Sequence, residues 1–202
     1  MTFWREKYPL ILASQSHARQ ALLASAGIGF EAVPAEIDER AVQHASGLSA
    51  PGEIASLLAR EKALSVSMRF PERFVVGADQ TLALEKRLFS KPTGRAEAAA
   101  QLRALAGRTH ELHSAVAVVR DGKILFEAVT SARMTMRLLG EADIEAYLDE
   151  AGEAVTSSVG AYQLERLGVH LFERIEGDHF TILGLPLLQL LAFLRGARLL
   201  AM

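Results

Sequence analysis

Hydrophobic and polar positions along the chain alternate between short apolar runs and longer segments with helical spacing. Apolar runs typical of buried strands occupy about Tyr8–Ala13 and Phe74–Gly77. Between them, Pro51 opens a segment whose apolar residues recur at helical spacing, which predicts an amphipathic helix. Asp121-Gly122 lies between two further apolar segments and is a strong hairpin signal. This alternation of strands and helices predicts an α/β fold.

The remaining segments divide in the same way, and glycine, proline or an acidic first turn marks several of their boundaries. Helices are predicted at Ser16–Ala26, Arg95–Leu105, Glu141–Glu150 and Leu185–Leu194. Strands are predicted at Phe30–Pro34, Leu112–Val119, Ile124–Met136, Val169–Ile175 and Phe180–Leu183, the last two joined by a turn at Gly177-Asp178. Thr81–Leu84 is predicted to continue the strand before it or to pair beyond it.

The composition limits the class of protein. Half of the 202 residues are hydrophobic and no repeat or low-complexity linker divides the chain, so residues 1–202 are expected to form one domain of two intimate lobes. The charges nearly balance, with 22 Lys and Arg against 24 Asp and Glu, so no long-range field favours nucleic acid or an anionic membrane. The absence of cysteine excludes disulfides, and no apolar stretch is long enough to span a bilayer. We therefore expect a cytoplasmic protein that binds neither nucleic acid nor membrane.

The junction between the first strand and the first helix carries candidate phosphate ligands. Ser14 and Ser16 follow the apolar run, and Arg19 lies in the first turn of the helix. Backbone N–H groups at a helix N-terminus favour an anion, and a guanidinium matches the oxygens of a phosphate. In the alternative interpretation a serine caps the helix and Arg19 is a solvated helix residue. Residue types alone favour the two interpretations equally.

Asp79 is a candidate catalytic or metal-binding carboxylate because it comes directly after a buried strand. Ligand sites in open α/β sheets lie outside the carboxyl ends of strands, where a carboxylate can bind a divalent ion or activate water. Gln80 adds a polar side chain beside it, although an Asp after Gly-Ala is also common in turns. Lys91 precedes a proline in an extended loop and offers a point charge for a phosphate, but an exposed loop lysine is the commoner explanation.

Other polar residues add weaker candidates. Asp38 and Glu39 follow a predicted strand, and Lys62 lies on the second helix. Acids near phosphate-binding bases commonly hold Mg²⁺, although most such residues are solvated surface. His110 and His113 point to opposite faces of a strand, which argues against a shared metal.

Residues 160–165, GAYQLE, place glycine, aromatic and polar groups in one loop. Such a segment can lay a ring or an amide against a nucleobase. It can equally be a loop that a buried tyrosine holds in place.

Taken together, these segments resemble the Maf family, the nucleoside triphosphate pyrophosphatases also described as inhibitors of septum formation. The resemblance covers nearly the whole chain. It rests on seven segments in order, namely LASQSHARQALLASAGIGF, EIDER, LAREKA, VVGADQTL, LFSKPTGR with LRALAGRTH, SVGAYQLERLG and ERIEGDHFTILGLPL.

The resemblance implies a Maf/ITPase-like fold, in which a twisted mixed sheet with flanking helices forms two lobes around a central cleft. It implies hydrolysis of a nucleoside triphosphate to the monophosphate and diphosphate with a divalent cation, Mg²⁺ or Mn²⁺, and a chain that can form a homodimer. Asp79 would be the proton acceptor, Glu39 and Lys62 would line the cleft, and Glu39 and Asp79 would be the metal ligands. The phosphate-binding residues that the resemblance implies are Ser14, Ser16, Arg19 and Lys91.

Base specificity differs between branches of the family at three positions, which are Ala18, Gln80 and Glu165 in this chain. The branch acting on dTTP and UTP typically carries Arg, Thr and Gln there, and the branch acting on 7-methyl-GTP carries an aromatic residue, Gln and Glu. This chain shares Gln80 and Glu165 with the second branch and lacks its aromatic residue. A Glu accepts hydrogen bonds from the N1–H and N2–H₂ edge of guanine, whereas thymine offers one donor. We therefore expect a modified purine such as 7-methyl-GTP.

Two other functions are consistent with the same resemblance. One is a non-catalytic regulator of cell division that acts through a protein partner. Arg19, Asp79 and Lys91 are all present, which favours the enzyme. The other is a related house-cleaning hydrolase for deaminated purines, which shares the chemistry and differs only in its substrates.

Overall fold

The computed structural model describes residues 3–201, which fold around one seven-stranded mixed sheet. The strand order is β2-β1-β3-β5-β6-β7, and β4 pairs with β3 outside that path. The strands are β1 Leu10–Leu12, β2 Phe30–Ala32, β3 Val75–Leu84, β4 Arg87–Phe89, β5 Thr109–Arg120, β6 Lys123–Met136 and β7 Phe172–Glu176. The α-helices are α1 His17–Ser25, α2 Glu39–Ser46, α3 Pro51–Ser67, α4 Arg95–Leu105, α5 Glu141–Ala151, α6 His179–Ile182 and α7 Leu187–Gly196. Short 3-10 helices occupy Gly152–Thr156, Val159–Ala161 and Leu167–Leu171. The predicted α/β class is confirmed.

The sheet combines a parallel part with a long antiparallel part. β1 pairs in parallel with β2 and β3, whereas β3, β5, β6 and β7 pair antiparallel. The β5–β6 hairpin turns at Asp121 and Gly122, whose φ angles are 51° and 70°. Positive φ at both central residues is the geometry that matches the twist of a two-residue hairpin. The predicted hairpin is therefore confirmed.

Alternation along β1 decides which helices cover each face of the sheet. Leu10 and Leu12 point to one face and pack with buried residues of α1 and α7. Ile11 points to the other face and packs with alanines of α3. Both faces of this parallel strand are buried, which explains its continuous apolar sequence.

The hydrophobic core changes along β3. Val75, Val76 and Ala78 pack in the two clusters that include β1, whereas Leu82 and Leu84 pack in a separate cluster with α4 and α5. Asp79 lies between these two parts of the strand. β3 therefore connects the two halves of the core, and Asp79 lies where one passes into the other.

One predicted strand is wrong, and a second is wrong in its first residues. Phe180–Leu183 is not a strand, because Asp178 caps a short helix there, with its Oδ1 accepting a hydrogen bond from Thr181 N at 3.0 Å. The strand predicted at Val169–Ile175 begins only at Phe172, after a 3-10 helix. Helix α2 was not predicted from the sequence. Across residues 3–201, no helix is long and apolar enough to cross a bilayer.

Candidate active site

A cleft of about 1110 Å³ lies between the first strand–helix junction, α2, α3, the middle of β3 and the loop that follows the first 3-10 helix. All ten residues that the sequence pointed to line this cleft, although their roles remain predictions. They are Ser14, Ser16, Ala18, Arg19, Glu39, Lys62, Asp79, Gln80, Lys91 and Glu165.

The sequence predicted Asp79 at the end of a strand, and this position is wrong. Asp79 lies in the middle of the continuous strand β3. Its parallel neighbour β1 pairs with β3 only as far as Leu12 and Val76. Beyond that point β3 continues between β4 and β5. The parallel part of the sheet therefore ends just before Asp79, and its open edge faces the cleft as expected for an α/β fold.

Lys62 holds the carboxylate of Asp79. The Lys62 Nζ donates to Asp79 Oδ1 at 2.5 Å and lies 2.8 Å from Glu39 Oε1. Lys62 and Asp79 are both buried. A lysine of α3 can reach β3 because Gly77 lets the two backbones approach closely: a Cβ at this position would lie 2.0 Å from Ala59 O.

The protonation of Asp79 is set by opposing influences. Burial raises the pKa of the Asp79 carboxyl, while Lys62 and Arg19 oppose that rise. A carboxylate with a raised pKa is a stronger base than a solvated one. Asp79 is therefore suited to take a proton from water.

Arg19 is fixed in the cleft and is not a solvated helix residue. Its Nε donates to Gly184 O at 2.7 Å, and its Nη1 donates to Ser14 Oγ at 3.2 Å. Burial lowers the pKa of Arg19, and the charges of Asp79 and Glu39 oppose this effect. Ser16 caps α1, since its Oγ accepts from the backbone N–H of Arg19. The alternative interpretation is therefore confirmed for Ser16, which caps the helix, and is wrong for Arg19, which is not a solvated helix residue.

The two acids after β2 have different surroundings. Asp38 caps α2 through a bond from Ala41 N to its Oδ1 at 3.0 Å. Glu39 is the first residue of that helix and directs its carboxylate to Lys62. Only Glu39 of this pair therefore contacts the charged centre of the cleft.

Two carboxylates are the candidate ligands for the divalent cation that the sequence predicted. Within residues 3–201 no cluster of three or more acidic or histidine side chains has the arrangement of a metal site. The carboxylates of Glu39 and Asp79 nevertheless converge on one ammonium group. Mg²⁺ is often held by one or two carboxylates and completed by substrate phosphates. Glu39 and Asp79 are therefore the residues that would hold such a cation, and the metal remains a prediction.

Lys91 lies in the exposed loop after β4, where its side chain makes no ion pair with any residue between 3 and 201. The buried amide of Gln101, on α4, connects this loop with the 3-10 helix Val159–Ala161. Its Nε2 donates to Ser90 O at 2.9 Å, and its Oε1 accepts from Gly160 N at 3.1 Å. Gln101 was not identified from the sequence, because its two partners meet only in the folded chain.

A buried tyrosine holds the loop at residues 160–165, as the second of the two interpretations expected. Tyr162 is buried, and its hydroxyl lies 2.7 Å from Nε2 of the buried His110. Burial raises the pKa of Tyr162 and lowers the pKa of His110 to about 4. Glu165, farther along the loop, is exposed at the edge of the cleft. Tyr162 therefore holds the loop in place, and Glu165 is an exposed carboxylate among the residues that line the cleft.

The fold and the cleft define an α/β protein with a site for an anionic ligand, in which a buried carboxylate lies beside a lysine and an arginine. The chain belongs to the Maf family, because the family model described as Maf-like protein matches residues 9–197.

The relatives of the chain agree with this assignment. A nucleoside triphosphate pyrophosphatase of Rhodopseudomonas palustris (strain BisB18) is 67% identical over the full length of both chains. A 7-methyl-GTP pyrophosphatase of Rhizobium etli is 56% identical, covering 92% of this chain and 94% of the relative. Among solved structures, a HAM1 protein from Coxiella burnetii has a TM-score of 0.41 and 17% identity, covering 63% of this chain and 72% of that one. A similarity this low adds nothing to the description of the site.

Proposed function

We propose that this protein hydrolyses a nucleoside triphosphate to the monophosphate and diphosphate, with a modified purine such as 7-methyl-GTP as its substrate. The observation that carries the proposal is the buried Asp79 carboxylate, which Lys62 holds at 2.5 Å beside the Arg19 guanidinium. Relatives named as nucleoside triphosphate pyrophosphatases match the whole chain. They favour the enzyme over the non-catalytic regulator of cell division.

The reaction requires water to attack the α-phosphorus. The new bond forms between the water oxygen and the α-phosphorus, and the bond to the bridging oxygen breaks with its electron pair leaving on diphosphate. The proton of the attacking water passes to the carboxylate of Asp79, whose Oδ1 is already engaged by Lys62. Burial raises the pKa of this carboxyl, which strengthens it as a base.

Cationic side chains stabilise the charge that develops on the phosphates. Arg19 presents a planar guanidinium that is bonded to Gly184 and Ser14, and Lys91 brings an ammonium from the loop after β4. Glu39 and Asp79 would hold a divalent cation, Mg²⁺ or Mn²⁺, which when bound neutralises charge on the phosphate oxygens. The N-terminus of α1, which Ser16 caps, lines the same cleft and favours an anion there.

Glu165 supports the preference for a purine. Its carboxylate is exposed at the cleft edge and can accept hydrogen bonds but not donate them while ionised. The N1–H and N2–H₂ edge of a guanine-type base supplies two donors to such a group. The relative named 7-methyl-GTP pyrophosphatase supports the same choice. A homodimer, a cytoplasmic location and the absence of nucleic-acid binding remain predictions.

A nucleotide panel tests this proposal. Release of diphosphate would be measured with Mg²⁺ or Mn²⁺ from 7-methyl-GTP, GTP, dTTP, UTP, dITP and XTP. We expect the highest kcat/KM for a guanine-type base, and a fall of about tenfold in Glu165→Gln for that substrate relative to dTTP. Glu173→Gln, an exposed acid on β7 outside the cleft, is the matched control and should leave the ratio unchanged. A wild-type preference for dTTP or UTP over every purine would contradict the assignment.

A further inference from the structure

We infer that Gln80 is a positioning residue that holds Arg19 in place through the segment 178–184. The segment consists of the short helix α6 and the turn that follows it. The middle of the segment is bonded to Gln80 through Thr181 O and Ile182 O, and its last residue, Gly184, accepts a hydrogen bond from Arg19. This inference rests on the proposed function, because it assigns Gln80 to the phosphate end of the substrate and not to its base.

The contacts of Gln80 fix the orientation of its side-chain amide. Its Nε2 lies 3.0 Å from Thr181 O, 3.0 Å from Ile182 O and 2.9 Å from Ser114 Oγ. Backbone carbonyls only accept hydrogen bonds, so the amide atom that faces two of them must be the nitrogen. An amide nitrogen has two hydrogens. Three acceptors therefore leave it no donor for a nucleobase.

Ser114 and Thr130 fasten the same segment to the sheet. The buried Ser114 Oγ donates to Thr181 O at 2.6 Å, and Thr130 Oγ1 lies 2.7 Å from Thr181 Oγ1. Asp178 caps the segment at its start. Strands β3, β5 and β6 thus each contribute one side chain that holds α6, and Gln80 alone of these three lines the cleft.

The far end of the segment contacts the guanidinium directly. Gly184 O accepts from Arg19 Nε at 2.7 Å. Gly184 has φ +88°, and a Cβ there would lie 3.3 Å from both Nε and Nη2 of Arg19. The Nε–Nη2 edge of the guanidinium therefore faces a backbone turn whose position depends on the bonds to Thr181 and Ile182. A displacement of this turn would move the group that is proposed to hold the leaving phosphates.

Binding of inorganic diphosphate separates this role from base recognition, because the probe has no base and no sugar. Calorimetry in Mg²⁺ buffer would compare the full chain with Gln80→Met and Ser114→Ala. Ser114 does not line the cleft, so its loss loosens the segment without removing a ligand contact. Gln189→Met, on α7 outside the cleft, is the matched control, since its Oε1 is buried without a partner among residues 3–201.

We expect Gln80→Met to weaken diphosphate binding about tenfold, Ser114→Ala to weaken it about threefold, and Gln189→Met to leave it unchanged. In turnover, Gln80→Met should lower kcat/KM by a similar factor for every nucleotide, so that the ratio between 7-methyl-GTP and dTTP is preserved. Unchanged diphosphate affinity with an altered ratio would overturn the inference and assign Gln80 to the base. A purely structural loss would lower stability without moving diphosphate affinity, and would also overturn it.

The reactivity of Arg19 gives a second readout that does not depend on the proposed reaction. Phenylglyoxal modifies accessible guanidinium groups, and peptide mass spectrometry can follow Arg19 individually. We expect modification several-fold faster in Gln80→Met and Ser114→Ala than in the wild type, and no change in Gln189→Met. Equal rates in all four proteins would refute the positioning role. A wild type that neither binds diphosphate nor hydrolyses any nucleotide would refute the proposed function instead, with the Arg19 rates still deciding this inference.

Discussion

Removal of the Lys62 ammonium should change the pH at which the catalytic carboxylate ionises. Asp79 is 7% exposed, and its Oδ1 lies 2.5 Å from Lys62 Nζ. Burial already raises the pKa of Asp79, and Lys62 is the largest influence that opposes this rise. In Lys62→Met the carboxyl keeps its desolvation and loses its principal counter-charge.

The size of the effect follows from this geometry. An opposite charge in contact lowers a carboxyl pKa by about 1–3 units. Because Arg19 remains as a second cation, we expect the Asp79 pKa to rise by about 1–2 units in Lys62→Met, equivalent to about 1.4–2.7 kcal/mol. Activity requires the ionised carboxylate, so the acid limb of kcat/KM should move to higher pH by the same amount.

Two measurements check this expectation. The carbon-13 shift of the Asp79 carboxyl, assigned by comparison with Asp79→Asn, reports its pKa directly, and the pH profile of kcat/KM reports it through catalysis. In the variant the folded carboxyl would bind protons still more tightly than the unfolded one, so the fall in the free energy of unfolding as pH rises from the unfolded to the folded pKa should be larger than in the wild type. Lys86→Met, an exposed lysine between β3 and β4, is the matched control. A carboxyl titration and an acid limb that both stay in place would refute the argument.

Three further changes test other parts of the site. His110 is buried and its pKa is lowered from 6.5 to about 4, so up to about 3 kcal/mol of stability should be lost as pH falls from 6.5 toward 4. Urea unfolding measures this at about pH 7.5 and about pH 4.5, and the free energies of unfolding at the two pH values should differ less in His110→Gln than in the wild type. Gln101→Leu removes the hydrogen bonds that connect Ser90 with Gly160, and we expect kcat/KM to fall by roughly threefold to tenfold for every nucleotide. A loss of activity that is selective for one base would argue against this connecting role. Arg19→Lys removes the planar fork held from Gly184 and should clearly lower kcat/KM; an unchanged value would mean that Arg19 does not contact the phosphates.

The sequence predicted the elements whose signals are local. The hairpin at Asp121-Gly122 was predictable because both residues tolerate positive φ, and α3 was predictable because a proline opens it and apolar residues follow at helical spacing. The prediction of a strand at Phe180–Leu183 was wrong because a short apolar run fits a strand as well as a helix. The hydrogen bond from Thr181 N to the Asp178 side chain caps the short helix. Hydrophobic periodicity over four residues does not reveal such a cap.

The candidate site divides in a similar way. The ten residues that the sequence pointed to line one cleft, because the ends of β1, β2 and β4 and the middle of β3 converge there. The side chains that support them were not predictable. Gln101 and Ser114 each bond to a residue that is distant along the chain, and no local pattern indicates such a partner. Gln80 was identified, but its bonds to Thr181 and Ile182 became visible only in the folded protein.

Hydrolysis in water labelled with oxygen-18 tests the central claim most directly. If Asp79 takes the proton of a water that attacks the α-phosphorus, mass spectrometry should find the label in the nucleoside monophosphate and not in the diphosphate. Turnover should be lost in Asp79→Asn while the protein stays folded. Label in the diphosphate would place the attack on the β-phosphorus, and wild-type turnover in Asp79→Asn would remove the base; either result would contradict the account.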